Sequence, residues 1–362
     1  MHINNNKDFK SRYEFLKKFS LNLIKNKIHI AKIASQLSNT NINDNLKDIE
    51  FVIKFINNFL LKYQLSKDDY LYVPRGKVLI ITPRNEILIN TIIPTISAFY
   101  VGNTVILKPP REYFKFVKYI AKLLPIPKNH HCSVYVKYFP RSLLKKYIKI
   151  CDYIFLLTSY RIAKKVIQLC LKYNKEFYYE AEGINDCIID TSDSSLIRKF
   201  IKDLITNISE HRGERCQSIK RIFLFKSNYI IFKKICSEHK NDLILLNSRL
   251  KIPYRIEEHK NNTKETNSTV YISRKIYILD NLKKLKNYIE KNKKPLVLYI
   301  YSSKPIEFWS KELINKYPYS FVIFNKKPVI SPTDPWGGIK QSGLFGPTNW
   351  IHKFCYRIYI KK

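Results

Sequence analysis

At 362 residues, with 45% apolar and 14% aromatic side chains, the chain can bury a sizeable core in about two domains, which excludes a disordered protein. Its formal charge of +36 invites a nucleic-acid partner, but only 14 of the 65 basic residues are arginine and the lysines run along the whole chain. No specific nucleic-acid face is therefore expected. The seven cysteines are widely spaced and form no CxxC, which argues against a disulfide framework or a metal site and for a reducing, cytoplasmic setting.

The N-terminus is polar and lacks a signal-peptide core. The most apolar stretch, 87–101, is broken by Asn90, Pro94 and Ser97 and is too short to span a bilayer. Apolar positions such as Phe15, Leu16, Phe19, Leu23 and Ile24 recur at helical spacing, so 8–34 and 46–63 read as amphipathic helices joined by the asparagine-rich piece 39–45.

Next, Gly76 turns the chain into an apolar strand that ends at Pro83 and a polar tip carrying Asn85. Ligands bind beyond the carboxyl ends of strands in open α/β sheets, so Asn85 stands at a candidate site, although an Asx turn explains it equally well. After another helix, Gly102-Asn103-Thr104-Val105-Ile106-Leu107-Lys108-Pro109 is a strand ending in a lysine. That lysine either reaches a ribose or phosphate or is one more surface lysine. Helix (111–124), strand (134–136), helix (141–149), strand (153–157) and helix (161–173) follow. This alternation predicts a doubly wound, mostly parallel sheet. No GxGxxG occurs, so any dinucleotide is held without that fingerprint.

Beyond Glu180 come a strand at 187–190 and a helix at 194–209, which delivers the chain to His211-Arg212-Gly213-Glu214-Arg215-Cys216. A thiol on a tight turn at a helix end is how a nucleophile is presented, although a lone cysteine is more often a buried hydrophobe. The neighbouring Arg212 and Arg215 would favour its thiolate. Past Lys226 the chain reads as less regular, with a polar loop at 256–268, strand then helix over 276–288, and strands at 295–302 and 321–324. Only eight glycines occur. They fall in short stretches, the last being Pro335-Trp336-Gly337-Gly338-Ile339-Lys340-Gln341-Ser342-Gly343.

Taken in order, the strand ending at Asn85, the 102–109 stretch, the Glu180 stretch, Gly213-x-x-Cys216, the strand at 295–302 and the 335–343 loop resemble the NAD(P)-dependent aldehyde dehydrogenase superfamily. The likeness is greatest to its class 3, fatty-aldehyde branch, and it covers roughly residues 10–360. The resemblance implies a doubly wound cofactor domain with N-terminal helices (1–179), a second α/β catalytic domain (180–332) and a C-terminal segment (333–362) returning to the cofactor and oligomerisation side. It implies Cys216 as nucleophile, Asn85 as oxyanion donor and Glu180 as the base that activates the deacylating water. It implies Lys108 on the adenosine ribose, Ser159 near the pyrophosphate and, more loosely, Glu265 on the nicotinamide ribose. It also implies an aldehyde substrate, NAD or NADP, a thioester intermediate and a homodimer. The strand-like piece 353–360 would join a partner's sheet or edge.

The chain departs from the family pattern at Arg84, Thr158, Glu182 and Asn267, and the span from Cys216 to Gly337 is shortened. A catalytically weak relative kept for binding or structure is the alternative expectation.

Overall fold

The computed structural model describes residues 6–59, 70–127, 130–238, 275–327, 331–332 and 334–359. The chain divides into two compact units. Unit 1 comprises Met1–Ala181, Ile330–Trp336 and Thr348–Lys362; unit 2 comprises Glu182–Val329 and Gly337–Pro347. The glycine-rich loop is thus split, and most of it clusters with unit 2.

Unit 1 opens with α1 (Asn6–Ser38) and α2 (Ile42–Lys54). The predicted periodicity is real but its stripe is narrower. Leu16, Phe19, Leu23, Ile30 and Ala34 are fully or almost fully buried, whereas Ile24 is exposed. Asn41 caps α2 by accepting a hydrogen bond from the Asn43 amide.

Strand β1 (Tyr70–Pro74) precedes the main sheet. Then come β2 (Lys77–Ile81), α3 (Ile87–Tyr100), β3 (Thr104–Lys108), α4 (Phe114–Lys122), β4 (Val134–Val136), α5 (Leu144–Ile150), β5 (Tyr153–Leu157), α6 (Tyr160–Lys172) and β6 (Glu176–Glu180). The five strands β2 to β6 pair in parallel in the order β4-β3-β2-β5-β6. Val78–Ile80, Val105–Leu107 and Tyr153–Leu157 are buried throughout, as strands covered on both faces require. The strand order reverses between β2 and β5, which is where such sheets open a crevice at their carboxyl edge.

Unit 2 contains β7 (Asn185–Asp190), α7 (Ser194–Ser209), β8 (Ile219–Phe225), α8 (Tyr229–Glu238), β9 (Lys275–Leu279), α9 (Leu282–Glu290), β10 (Val297–Ser302), α10 (Ile306–Trp309) and β11 (Phe321–Phe324). Its sheet is also parallel, in the order β11-β10-β7-β8-β9. Ile188, Phe223, Leu298, Ile300 and Trp309 form its core. Helix α8 is regular where the sequence reads as irregular: Phe232 and Ile235 give it a buried face. The polar piece 256–268 lies outside the described residues.

The last strand, β12 (Cys355–Tyr359), pairs antiparallel with β1 of the same chain rather than standing alone. Across this ribbon Tyr70, Tyr356, Ile358 and Tyr359 remain exposed.

Candidate active site

Four of the six expected site residues lie at the carboxyl edge of the unit 1 sheet. Lys108 ends β3, Glu180 ends β6, Ser159 follows β5 and Asn85 follows β2. Asn85 is half-buried on the tip before α3, and its carbonyl accepts a hydrogen bond from Asn90 Nδ2 at 3.0 Å. The next residue, Glu86, takes a left-handed φ of 46° at the helix entry, so the turn is sharp. Arg84, where the family differs, is paired with Glu112 at 2.6 Å.

Lys108 lies with its ammonium 5.4 Å from the centre of the Phe139 ring. Among the described residues no carboxylate pairs with it. Burial and the neighbouring charge of Arg141 pull its pKa below the usual lysine range, so an anion beside it would be welcome.

Ser159 takes the N-cap position of α6, yet its side chain makes no capping bond. Its Oγ is buried without a hydrogen-bond partner. A hydroxyl stranded at a helix N-terminus fits a phosphate oxygen. The Thr158 amide is spent on the Glu180 carbonyl at 3.0 Å.

Glu180 is only 6% exposed. Its Oε1 accepts a hydrogen bond from the Tyr178 hydroxyl at 2.5 Å and lies 2.9 Å from the ammonium of Lys353. Lys353 is buried too, against the Tyr178 and Trp350 rings at 4.8 and 4.3 Å. Burial lowers the Lys353 pKa while Glu180 opposes that fall. Sequence reasoning missed Lys353 entirely, because nothing in its spacing sets it apart from the other lysines.

Cys216 belongs to unit 2, on the turn between α7 and β8. All seven cysteines are free; Cys216 and Cys236 are partly buried and the other five buried. Burial pushes the Cys236 thiol up to about 12, as it does for Cys151, Cys170 and Cys355.

The turn begins with three left-handed residues, His211, Arg212 and Gly213, at φ 46°, 58° and 66°. Glycine adopts that conformation freely; the other two must be held in it. The His211 carbonyl accepts from the Glu214 amide at 3.0 Å, and the rest of the turn is braced from outside. Asn185 Nδ2 donates to the carbonyls of Cys216 and Ser218, both at 2.7 Å. Tyr299 donates to the Gln217 carbonyl at 2.7 Å, Lys220 to the Gly213 carbonyl at 3.1 Å, and the Ile219 amide donates to Asn207 Oδ1 at 2.9 Å. Sequence reasoning also missed Asn185.

Of the arginines expected to favour the thiolate, Arg215 pairs with Glu210 at 2.9 Å and Arg212 lies 4.0 Å from Glu214.

In the same unit Glu182 is paired with Lys294 at 2.7 Å, which answers the charge that departs from the family pattern. The glycine-rich loop is a packing device. A Cβ on Gly338 would come within 2.2 Å of the Ser342 carbonyl oxygen, and one on Gly343 within 2.6 Å of Gly338 backbone. Ser342 Oγ ties the loop to the Pro295 carbonyl at 2.9 Å. Glu265 and Asn267 lie outside the described residues.

Away from these residues, His130, His131 and Cys132 bring their donor atoms within 4.8 Å of one another. The Arg12 guanidinium is 3.4 Å from His131 Nε2 and discourages a cation there.

A sequence model of the aldehyde dehydrogenase family matches residues 4–251, well over half of the chain. The chain belongs to the aldehyde dehydrogenase family. Aldehyde dehydrogenase family 3 member B1 of Homo sapiens is 33% identical over 117 residues, 32% of this chain and 25% of that protein. Aldehyde dehydrogenase family 3 comG of Dictyostelium discoideum is 27% identical over 172 residues, 46% of this chain and 35% of that one. These relatives place the chain in the class 3 branch, and the matched stretches span less than two thirds of either.

The aldehyde dehydrogenase fold extends further than the sequence likeness. The aldehyde dehydrogenase of Brucella melitensis biovar abortus 2308 superposes with a TM-score of 0.80 at 16% identity, covering 97% of this chain and 84% of that one. Succinic semialdehyde dehydrogenase of Streptococcus pyogenes, solved with NADP+, gives 0.77 at 16% identity, covering 98% and 90%. Among the described residues no helix is long and apolar enough to cross a membrane.

Proposed function

We propose that this aldehyde dehydrogenase family member oxidises an aldehyde to a carboxylic acid with NAD or NADP, using Cys216 as nucleophile. The observation that carries the reading is the braced turn, on which Asn185 holds the carbonyl of the partly buried Cys216 behind three left-handed residues. A nucleophile held this way spends less entropy on reaching its carbonyl.

In this reading the Cys216 sulfur attacks the carbonyl carbon and forms a thiohemiacetal. The Asn85 side-chain amide and the Cys216 backbone N–H donate to the oxygen as charge grows on it, and one such donor is worth about 2.7–4 kcal/mol of barrier. Bound beyond the strand ends, a nicotinamide would supply the acceptor for the hydride of the thiohemiacetal carbon. Glu180 then removes a proton from water, and the thioester on Cys216 hydrolyses.

Ser159 and the N-terminus of α6 would hold the pyrophosphate, and Lys108 the adenosine ribose. The stranded Ser159 hydroxyl and the carboxylate-free Lys108 fit those roles. Glu265 keeps its proposed role on the nicotinamide ribose.

Single-turnover NADH or NADPH formation, monitored by absorbance, tests this. It should disappear in Cys216→Ala while cofactor still quenches the aromatic fluorescence. Undiminished turnover in Cys216→Ala would end the reading.

A reducing compartment such as the cytoplasm suits seven free thiols, and a homodimer would cover the exposed residues of the β1–β12 ribbon. The second reading is a weak or inactive relative kept for binding, in which the Lys353 ammonium would tie up the Glu180 carboxylate. Cofactor binding without any turnover would select it.

A further inference from the structure

A carboxylate buried as deeply as Glu180 must be paired and hydrogen-bonded to offset its lost solvation. A general base must be ionised at its working pH. Both demands meet at Oε1, where Lys353 and Tyr178 converge. Lys353 reaches Glu180 from the C-terminal turn Ile351–Phe354, across 173 residues of sequence. That turn is clamped: the Phe354 carbonyl accepts from Asn103 Nδ2 at 2.9 Å, and the Phe354 ring packs 4.7 Å from Phe155 on β5.

The charged or titratable groups facing Glu180 include Lys353 from this turn and Tyr178 and Tyr179 from its own strand. Neighbouring β5 offers only Leu157 opposite it, with the Thr158 amide bonded to its carbonyl. Of these Lys353 is a cation, and the two tyrosines, with pKa values raised above the usual phenol range, are neutral near pH 7.

We propose that Lys353 is a positioning residue for deacylation: its ammonium fixes Oε1 of Glu180 and keeps the carboxylate ionised, so that acyl-enzyme breakdown persists to lower pH than a buried, unpaired glutamate would allow. This rests on the reading of Glu180 as the base. The sign follows from the charge. A cation beside a carboxylate favours the ionised form, so removing the cation moves the protonation step up in pH.

The test is acyl-enzyme decay as a function of pH, followed by acid quench and intact mass, in wild type, Lys353→Met, Lys353→Arg and Glu180→Gln. In Lys353→Met the acid limb of decay should move up by about one to three pH units, while the amplitude of the NADH burst is unchanged. Lys353→Arg should return the limb to its wild-type position, which a merely structural role would not produce. Should Lys353→Met not fold, Lys353→Gln keeps length and a donor without charge and is read the same way.

If Glu180→Gln stalls as the acyl-enzyme but the neutral Lys353 variants keep the wild-type limb, the proposal falls alone. If Glu180→Gln deacylates at the wild-type rate, the base reading fails and the proposal falls with it.

Discussion

Replacing Asn185 with alanine strips the Cys216 turn of its main brace. The side chain is fully buried and makes three bonds: two donated to the Cys216 and Ser218 carbonyls at 2.7 Å and one accepted from the Val297 amide at 3.0 Å. Each buried group left without a partner costs about 1–3 kcal/mol, so the loss is about 3 kcal/mol at the low end. For a unit of this size that lowers the melting temperature by about 6–12 °C. The chemical step should suffer separately, because a nucleophile displaced by about 1 Å loses about a hundredfold in rate. Asn185→Asp sharpens the test. It keeps the acceptor for Val297 but loses both donors and sets a carboxylate against two carbonyls, so it should slow acylation at least as much as alanine does. Thermal melts by circular dichroism and the rate of the NADH burst read the two effects. A melting point within about 2 °C of wild type, with an acylation rate within about threefold, would refute the reasoning.

Ser159→Ala should leave stability almost untouched, within about 0.5 kcal/mol, because Oγ has no partner to lose; the KM for the cofactor should rise several-fold with kcat at saturation preserved. Cofactor affinity, followed by fluorescence quenching, should weaken as pH rises through the depressed pKa of Lys108, since the ammonium loses its charge below the usual lysine range; Lys108→Met should bind more weakly and flatten that dependence. Arg221→Met should destabilise the protein by about 3–5 kcal/mol in urea unfolding, because it strands the fully buried Asp186, which Arg221 grips at 2.6 and 2.7 Å. Adding Asp186→Asn to that variant should recover most of the loss.

The parallel sheets were legible because each strand is a short apolar run with punctuation at its ends. Gly76 and Pro83 bracket β2, and Gly102 and Pro109 bracket β3. The carboxyl-edge residues were legible for the same reason: Asn85 and Lys108 are where the apolar runs stop. Strand β6 was hidden because its residues Glu176-Phe177-Tyr178-Tyr179-Glu180 mix charge with aromatics and carry no flanking glycine.

What the sequence withheld are the partners across space. Asn185 meets the Cys216 turn from 31 residues away, and Lys353 meets Glu180 from 173. A one-dimensional pattern does not encode such pairs when asparagine and lysine are abundant everywhere. The carboxylates beside the arginines of this turn are a related case: Arg215 meets Glu210 from five residues away, and Arg212 lies 4.0 Å from Glu214. The glycine-rich loop was legible as a motif, but its work in packing backbone against backbone was not.

The most direct test of the account is the chemical identity of the intermediate. Glu180→Gln is mixed with a fatty or aromatic aldehyde and oxidised nicotinamide cofactor, quenched in acid and digested for mass spectrometry. An acyl group on the peptide carrying Cys216, absent when cofactor is left out, is the predicted result. No adduct after NADH has formed, or an adduct on Cys236 instead, would contradict it.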